Sequence, residues 1–168
     1  GRILKAAGQA PYHPVYHTLN FSKEEINGVL NEHYKLKSDS TSKQMISFIR
    51  HQINQDLKKI DICITGANFL LSDVGGVVLA ENEGNILKSC NSAKIHIVVA
   101  GLDKIIPSIE DLSILLPLLS AYSTGHGMTA INSITAGPSK NRQGSEQMYV
   151  ILLNNGRTDL LENEVIHD

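Results

Sequence analysis

Apolar and polar positions alternate differently in the two parts of the chain, with a helical period at the start and a strand period later. From Phe21 to about Leu36, the apolar residues Ile26, Val29, Leu30 and Tyr34 recur at helical spacing and leave Lys23, Glu24, Asn27 and Glu32 for water. Ser22 reads as the N-cap and Glu25, three positions on, closes a capping box, while Phe21 and Ile26 stand at the two ends of a hydrophobic staple. After the polar break KSDSTS, Thr41 with Gln44 predicts a second capping box. Ile46, Ile49, Ile53, Leu57 and Ile60 then step by three or four along one face of a long amphipathic helix, which should pack on something flat.

The period changes at Ile60. Ile60–Thr65 is a short β-branched run ended by Gly66, and GVVLAE at 76–81 and KIHIVVAG at 94–101 predict two more strands, the first leaving through a Glu83-Gly84 turn. Their connections look too short for helical crossovers, so the region 60–101 is expected to be partly antiparallel. Ser108 and Asp111 cap a helix over IEDLSILLPLLSAY, in which Pro117 predicts a kink or an early stop. TAINSITAG and QMYVILLNNG read as the last strands, separated by the loop PSKNRQGSE, and RTDLLENEVI predicts a short closing helix. Helices feeding strands imply an α/β layer arrangement.

The strands end alike, in ITGAN at 64–68, VAGLD at 99–103, TAGPSK at 135–140 and LNNGR at 153–157. Parallel strands would bring these ends to one sheet edge, where open α/β folds place ligands, and Gly66, Gly101, Gly137 and Gly156 would turn backbone amides toward a shared crevice. The segment 64–85 adds Thr65, Asn68, Asp73, Gly75, Gly76, Glu83 and Asn85. These either make tight turns or let a ligand approach the backbone.

Composition narrows the choices. A chain of 168 residues is long enough for one domain with an adequate core, and 42% hydrophobic with 19% charged residues is ordinary for a globular protein. With 15 basic against 17 acidic residues, the charge of -2 gives no field that would draw nucleic acid or an anionic membrane. No apolar run approaches the ~18 residues of a membrane span, and Gly1-Arg2-Ile3 opens without a signal-peptide pattern, so a cytoplasmic protein is expected. Opening on glycine suggests a piece of a longer polypeptide. The two cysteines, Cys63 and Cys90, lack C-x-x-C spacing and predict neither a zinc site nor a disulfide framework, but small buried apolar residues in a reducing compartment. His13 and His17 are four apart, yet Pro11 and Pro14 argue against a helical metal pair there, and His126 between glycines either lines a pocket or faces water. No metal site is expected.

No P-loop, G-x-G-x-x-G, H-E-x-x-H or G-x-S-x-G occurs. The GANF and TAGP turns are compatible with anion binding, with Lys140 and Arg142 adding charge, although glycine and asparagine are also the ordinary turn residues. Asp73, Glu81 and Glu83 offer a general base or are solvated turn carboxylates. Arg157 follows NNG at an expected helix start, where its charge gains nothing from the dipole; an anionic side chain, or a ligand phosphate or carboxylate, should accompany it.

Six blocks, ITGANF, GGVVLAENEGN, IHIVVAGLDKIIPSIEDL, LLPLLSAYSTG, ITAGP and VILLNNGR, stand in the order and near the spacing of the lactate-utilisation (LUD) domain. The chain resembles above all the LUD domain of the lactate utilisation protein B family, the iron-sulfur subunit of bacterial L-lactate oxidation. The resemblance implies a three-layer α/β fold with a mostly parallel sheet, similar to the sugar-phosphate isomerases and CoA transferases (NagB/RpiA/CoA-transferase-like). It implies a single LUD domain over 1–168, with an N-terminal extension and first helix at 1–40 and the α/β core at 41–168. It also implies a part in oxidising L-lactate to pyruvate, with other subunits of a lactate-oxidising complex as partners. Iron-sulfur clusters are expected in the full-length protein and not in this chain, which lacks the family's ferredoxin-like cysteine runs. The chain departs from the family pattern at Gly76, at Asn154 and near His126. Positions that match it include Thr65, Gly66, Asn68, Gly75, Glu83 and Asn85, and further on Gly137, Asn155, Gly156 and Arg157. With Asp73, Gly76 and Lys140, these are the ligand-binding candidates for a small anion such as lactate, pyruvate or a phosphate; no catalytic residue is assigned. A stand-alone sugar-phosphate isomerase or CoA-transferase-like enzyme, with Glu83 as nucleophile, and a ligand-free docking module remain the alternatives.

Overall fold

The structure, a computed structural model, describes residues 2–10, 20–125, 127–139 and 144–159. The chain divides into two compact units, Gly1–Asp56 and Leu57–Asp168.

The first unit is helical, with α1 (Arg2–Ala6), α2 (Lys23–Tyr34) and α3 (Ser42–Leu57). Both expected capping boxes form. The Glu25 amide donates to Ser22 Oγ at 3.1 Å and the Ser22 amide to Glu25 Oε2 at 2.7 Å, while Gln44 and Thr41 exchange the equivalent bonds at 3.3 and 2.8 Å. Asn27 does not face water as its position in the period suggested: it is buried, and its Nδ2 donates to the carbonyls of Ser38 and Ser40 at 2.8 and 3.2 Å. It thereby holds the α2–α3 connection against α2. In α3, Met45 is buried and Phe48 meets Tyr34 edge to face at 6.2 Å, whereas Ile46 and Ile53 of the expected apolar stripe stay exposed.

The second unit is a layered α/β structure. Strands β1 (Ile62–Thr65), β4 (Ile95–Gly101) and β7 (Gln147–Leu153) form a parallel sheet in the order β1-β4-β7. Its register runs from Ile62↔Ile95 to Thr65↔Val98 and from Ile95↔Gln147 to Gly101↔Leu153. Strands β2 (Phe69–Leu71), β3 (Gly76–Glu81), β5 (Ile105–Ile106) and β6 (Ile131–Thr135) form a second sheet in the order β5-β2-β3-β6. There β3 is antiparallel to both neighbours and β5 is parallel to β2. Pairing is therefore mostly parallel, with the expected antiparallel portion confined to the second sheet.

Strand alternation explains the layers. Val77 and Leu79 point from β3 into a core shared with Cys63, Val98 and Ala100 of the parallel sheet and Cys90 of α4 (Asn85–Ser92). Val78, from the same strand, points the other way and joins Leu71, Ile106 and Leu112 under α5 (Leu112–Thr124). Parallel sheet, mixed sheet and α5 thus form three layers, and β3 reads as a continuous apolar run because both of its faces are covered. On the parallel sheet, Ile62 and Ile64 face away from this core and are exposed.

Two expectations about this unit change. The path from β1 to β4 is long enough for a crossover, because it contains the β2–β3 hairpin and α4. Pro117 neither stops nor shortens α5, which runs on to Thr124. Proline removes one helical hydrogen bond, but Leu112, Leu115 and Leu116 pack against the mixed sheet and hold the helix together across that gap. The closing helix expected after Gly156 lies mostly outside the described residues.

Candidate functional site

A cavity of about 340 Å³ lies between α4, the first residues of β4 and β7, and the end of β6. Leu79, Leu87, Ile134 and Met148 form its apolar walls, while Cys90, His96, Ser133, Thr135 and Ser145 bring polar or polarisable atoms to it. Each wall has a local cause. The helix α4 begins at Gly84, whose φ of 69° suits glycine, with no side-chain cap of its own. Its first amides are satisfied from β3 instead: buried Glu81 accepts from Ile86 N through Oε2 and from Leu87 N through Oε1, both at 2.8 Å. At the other end of α4, Ser145 Oγ donates to the Cys90 carbonyl at 2.9 Å, and the Ser139 amide donates to Ser145 O at 2.9 Å. Gly137 lines the same cavity with φ of 138°, a conformation that would strain any side chain.

His96 is the buried polar group of this site. It follows Ile95 on β4, where alternation puts it on the inward face with Val98 and Ala100, and it is 2% exposed. Its Nε2 lies 2.7 Å from Thr65 Oγ1 and 3.5 Å from Cys90 Sγ. Burial holds its pKa below the ordinary histidine value, so the imidazole is neutral near pH 7. Above pH ~6.5 it is neutral in both folded and unfolded chains and has no effect on the folding equilibrium. As the pH falls through that value, the unfolded chain binds a proton that the folded chain does not, so stability declines. Urea titrations of wild type and His96→Gln between about pH 7.5 and 5 should show the smaller acid loss in the variant.

The strand ends behave differently. Gly66, Gly101 and the turn at 154–157 gather at the carboxyl edge of the parallel sheet, where Asn155 and Gly156 have φ of 44° and 76° and Arg157 N donates to Asn154 O at 2.9 Å. The expected anionic partner of Arg157 is Asp103, with which it forms an ion pair that draws the carboxyl below its usual pKa. A Cβ on Gly101 would meet this pair. The corner is thus occupied by the protein's own salt link. Arg157→Ala should raise the Asp103 pKa toward that of a free aspartate, a change readable by NMR titration. The β6 exit does not join this corner: Gly137 shares the cavity with His96, five residues back along β4 from Gly101, or about 16 Å.

The remaining candidates have structural partners. Asn68 Oδ1 accepts from Ala80 N at 2.8 Å, extending the β2–β3 ladder. Asp73 accepts from Val74 N and Ile109 N at 2.8 and 3.0 Å, tying the β2–β3 turn to the start of the α5 region. Gly75 turns with φ of 64°, and a Cβ on Gly76 would lie 3.0 Å from Ile134. Asn85 Oδ1 accepts from Ile86 N at 3.0 Å, and Glu83 is exposed in the turn before α4. Lys140, Arg142, His13, His17 and His126 lie outside the described residues. Of the sequence candidates among the described residues, only Gly137 lines the cavity, with Thr65 one hydrogen bond away through His96. The overlooked signal is a histidine at an inward position of IHIVVAG, where apolar residues are the rule.

Iron-sulfur chemistry does not fit this chain's own residues. Cys63 and Cys90 are buried with their sulfurs 3.8 Å apart, and two thiols cannot supply a cluster that takes four. Among the described residues, no group of three or more His, Cys, Asp or Glu is arranged to hold a metal ion, and no helix is long and apolar enough to cross a membrane.

Known proteins are similar to this chain over most of its length. The electron transport protein YkgF of Escherichia coli K12, described as uncharacterized, is 30% identical over 96% of the chain. Proteins named lactate utilization protein B from Bacillus pumilus and Bacillus cytotoxicus are 30% and 29% identical over 91% and 96%. The chain spans about a third of the length of these relatives. A crystal structure of a DUF162 family protein from Deinococcus radiodurans aligns with 90% of this chain and 92% of its own, at 17% identity and a TM-score of 0.45. The LUD domain itself matches residues 19–153, ending on the last residue of β7 and including every strand of both sheets. The chain belongs to the LUD domain family.

Proposed function

We propose that this LUD domain serves a longer lactate-utilising protein, and that the cavity between α4, β4 and β6 is its site for a small hydroxy or keto acid such as lactate or pyruvate. The observation that carries the reading is a partly open cavity of about 340 Å³ whose lining sets buried His96 with Ser133, Thr135 and Ser145 among apolar walls. Few precisely placed polar groups in an apolar cavity are what small-molecule recognition requires. The Thr135 hydroxyl and the Gly137 backbone suit a carboxylate, Ser133 and Ser145, whose hydroxyls donate to the Leu79 and Cys90 carbonyls, offer lone pairs to a ligand hydroxyl, and neutral His96 suits a hydroxyl or carbonyl oxygen. The strand-end corner is a weaker choice, because Asp103 already satisfies Arg157. A CoA-transferase-like enzyme finds no support in Glu83, which does not line the cavity. Electron transfer and contacts with other subunits belong, in this reading, to the complete polypeptide and its complex.

Calorimetric titration with L-lactate, pyruvate and inorganic phosphate tests the site. Thr135→Val should weaken binding of the preferred acid about fivefold, the effect of one lost hydrogen bond, while Asn68→Ala should leave the affinity of the folded protein nearly unchanged. Equal affinity in wild type and Thr135→Val, or no binding of any of the three by wild type, defeats the proposal.

A further inference from the structure

We propose that Cys63 and Cys90 form a dithiol that a peroxide entering the cavity converts to an intrachain disulfide, fastening α4 to β1. The inference does not depend on which acid the cavity holds. Three observations lead to it. The two sulfurs lie 3.8 Å apart on different elements, Cys63 on β1 and Cys90 on α4, so modest side-chain rotation brings them to bonding distance. Both are buried and free, which shields them from bulky oxidants. Only Cys90 lines the cavity, so a reagent small enough to enter meets Cys90 first, with Cys63 next to it as the resolving thiol.

The chemistry balances with hydrogen peroxide as oxidant. Cys90 sulfur attacks the O–O bond; an S–O bond forms, O–O breaks, and the departing hydroxide takes the thiol proton to leave water and a sulfenic acid. Cys63 sulfur then attacks that sulfur; S–S forms, S–O breaks, and the hydroxyl leaves as a second water with the Cys63 proton. Two thiols are oxidised and one peroxide is reduced. The groups facing Cys90 set its pace: Cys63 from β1, His96 from β4 and the Glu81 carboxylate from β3. Burial, the neighbouring thiol and the Glu81 charge push the Cys90 thiol up to about 12, and burial also raises Cys63. The resting pair is therefore protonated, and the thiolate needed for attack grows about tenfold per pH unit below that value.

The experiment exposes the whole chain to hydrogen peroxide near pH 7 and pH 9 and follows it by intact mass and peptide mapping. The expected product has lost two hydrogens, carries a Cys63–Cys90 crosslink, returns to the starting mass with dithiothreitol and melts roughly 5–10 °C higher. It should form about tenfold faster per pH unit. In Cys63→Ser, Cys90 should be trapped by dimedone as the sulfenic acid. In Cys90→Ser, Cys63 should stay unmodified until urea unfolds the protein, and circular dichroism confirms that each variant is folded. Equal reactivity of Cys63 in folded Cys90→Ser, oxidation of Cys90 without a crosslink, or thiols inert near pH 9 yet reactive in urea would each overturn the proposal.

Discussion

Glu81→Ala is expected to destabilise the protein by about 2–4 kcal/mol, measured by urea unfolding. The carboxylate is buried and accepts the Ile86 and Leu87 amides of α4 at 2.8 Å each. Its loss leaves the Leu87 amide without its acceptor and the Ile86 amide with only Asn85 Oδ1 at 3.0 Å, in a helix whose Gly84 N-cap has no side chain to replace it. Glu81→Gln keeps one carbonyl acceptor and should lose roughly half as much. The cavity makes the result more than a measure of stability. Leu87, Cys90 and Asn91 of α4 form one of its walls, so a loosened α4 start should weaken ligand binding even in conditions where the protein remains folded. If Glu81→Ala unfolds at the wild-type urea concentration, the carboxylate is not what anchors α4.

Leu79→Ala should cost about 2–5 kcal/mol, the range for deleting a buried leucine side chain without collapse around the gap. Leu79 is 4% exposed, packs in the core between the two sheets and forms part of the cavity wall. The comparison that gives this meaning is Ile64→Ala on the opposite face of the parallel sheet, where the side chain is 68% exposed. That change should stay within about 0.5 kcal/mol, as for surface substitutions. Similar losses for both would show that the outer face of β1 is as well packed as the inner one, contrary to the layer order.

Local chemistry was readable from the sequence, and pairing across distance was not. Ser22 with Glu25 and Thr41 with Gln44 announced two helices because each capping box is complete within four residues. The helix α4 gave no such signal. NILKSCNS is poor in strong helix formers, and its cap, Glu81, comes from the preceding strand. Asn27 misled for a related reason, since its partners at Ser38 and Ser40 lie beyond the end of its own helix. The division into two sheets was equally hidden, because GVVLAE and IHIVVAG are alike as apolar runs and nothing local states that one pairs antiparallel and the other parallel. At the site, turn glycines drew attention to the strand ends. Gly66, Gly101 and Gly156 do lie at that edge, but the space beside Gly101 is taken by the Arg157–Asp103 ion pair. The cavity takes its walls from α4, β4 and β6 and its polar atoms from serines, threonines and one histidine that carry no spacing signature.

The order of strands in the parallel sheet also bears on how the protein is made. Strand β4 sits between β1 and β7, and Gln147 follows its partner Ile95 by 52 positions in the chain. At ordinary ribosomal speeds that interval takes roughly 3–10 s. During it, one edge of β4 is without its neighbour, and the long-range pairing that completes the sheet must wait for nearly the whole unit to emerge. A nascent chain in that state is a substrate for chaperones, and slow translation of the stretch between Gly101 and Gln147 should lower the yield of soluble product.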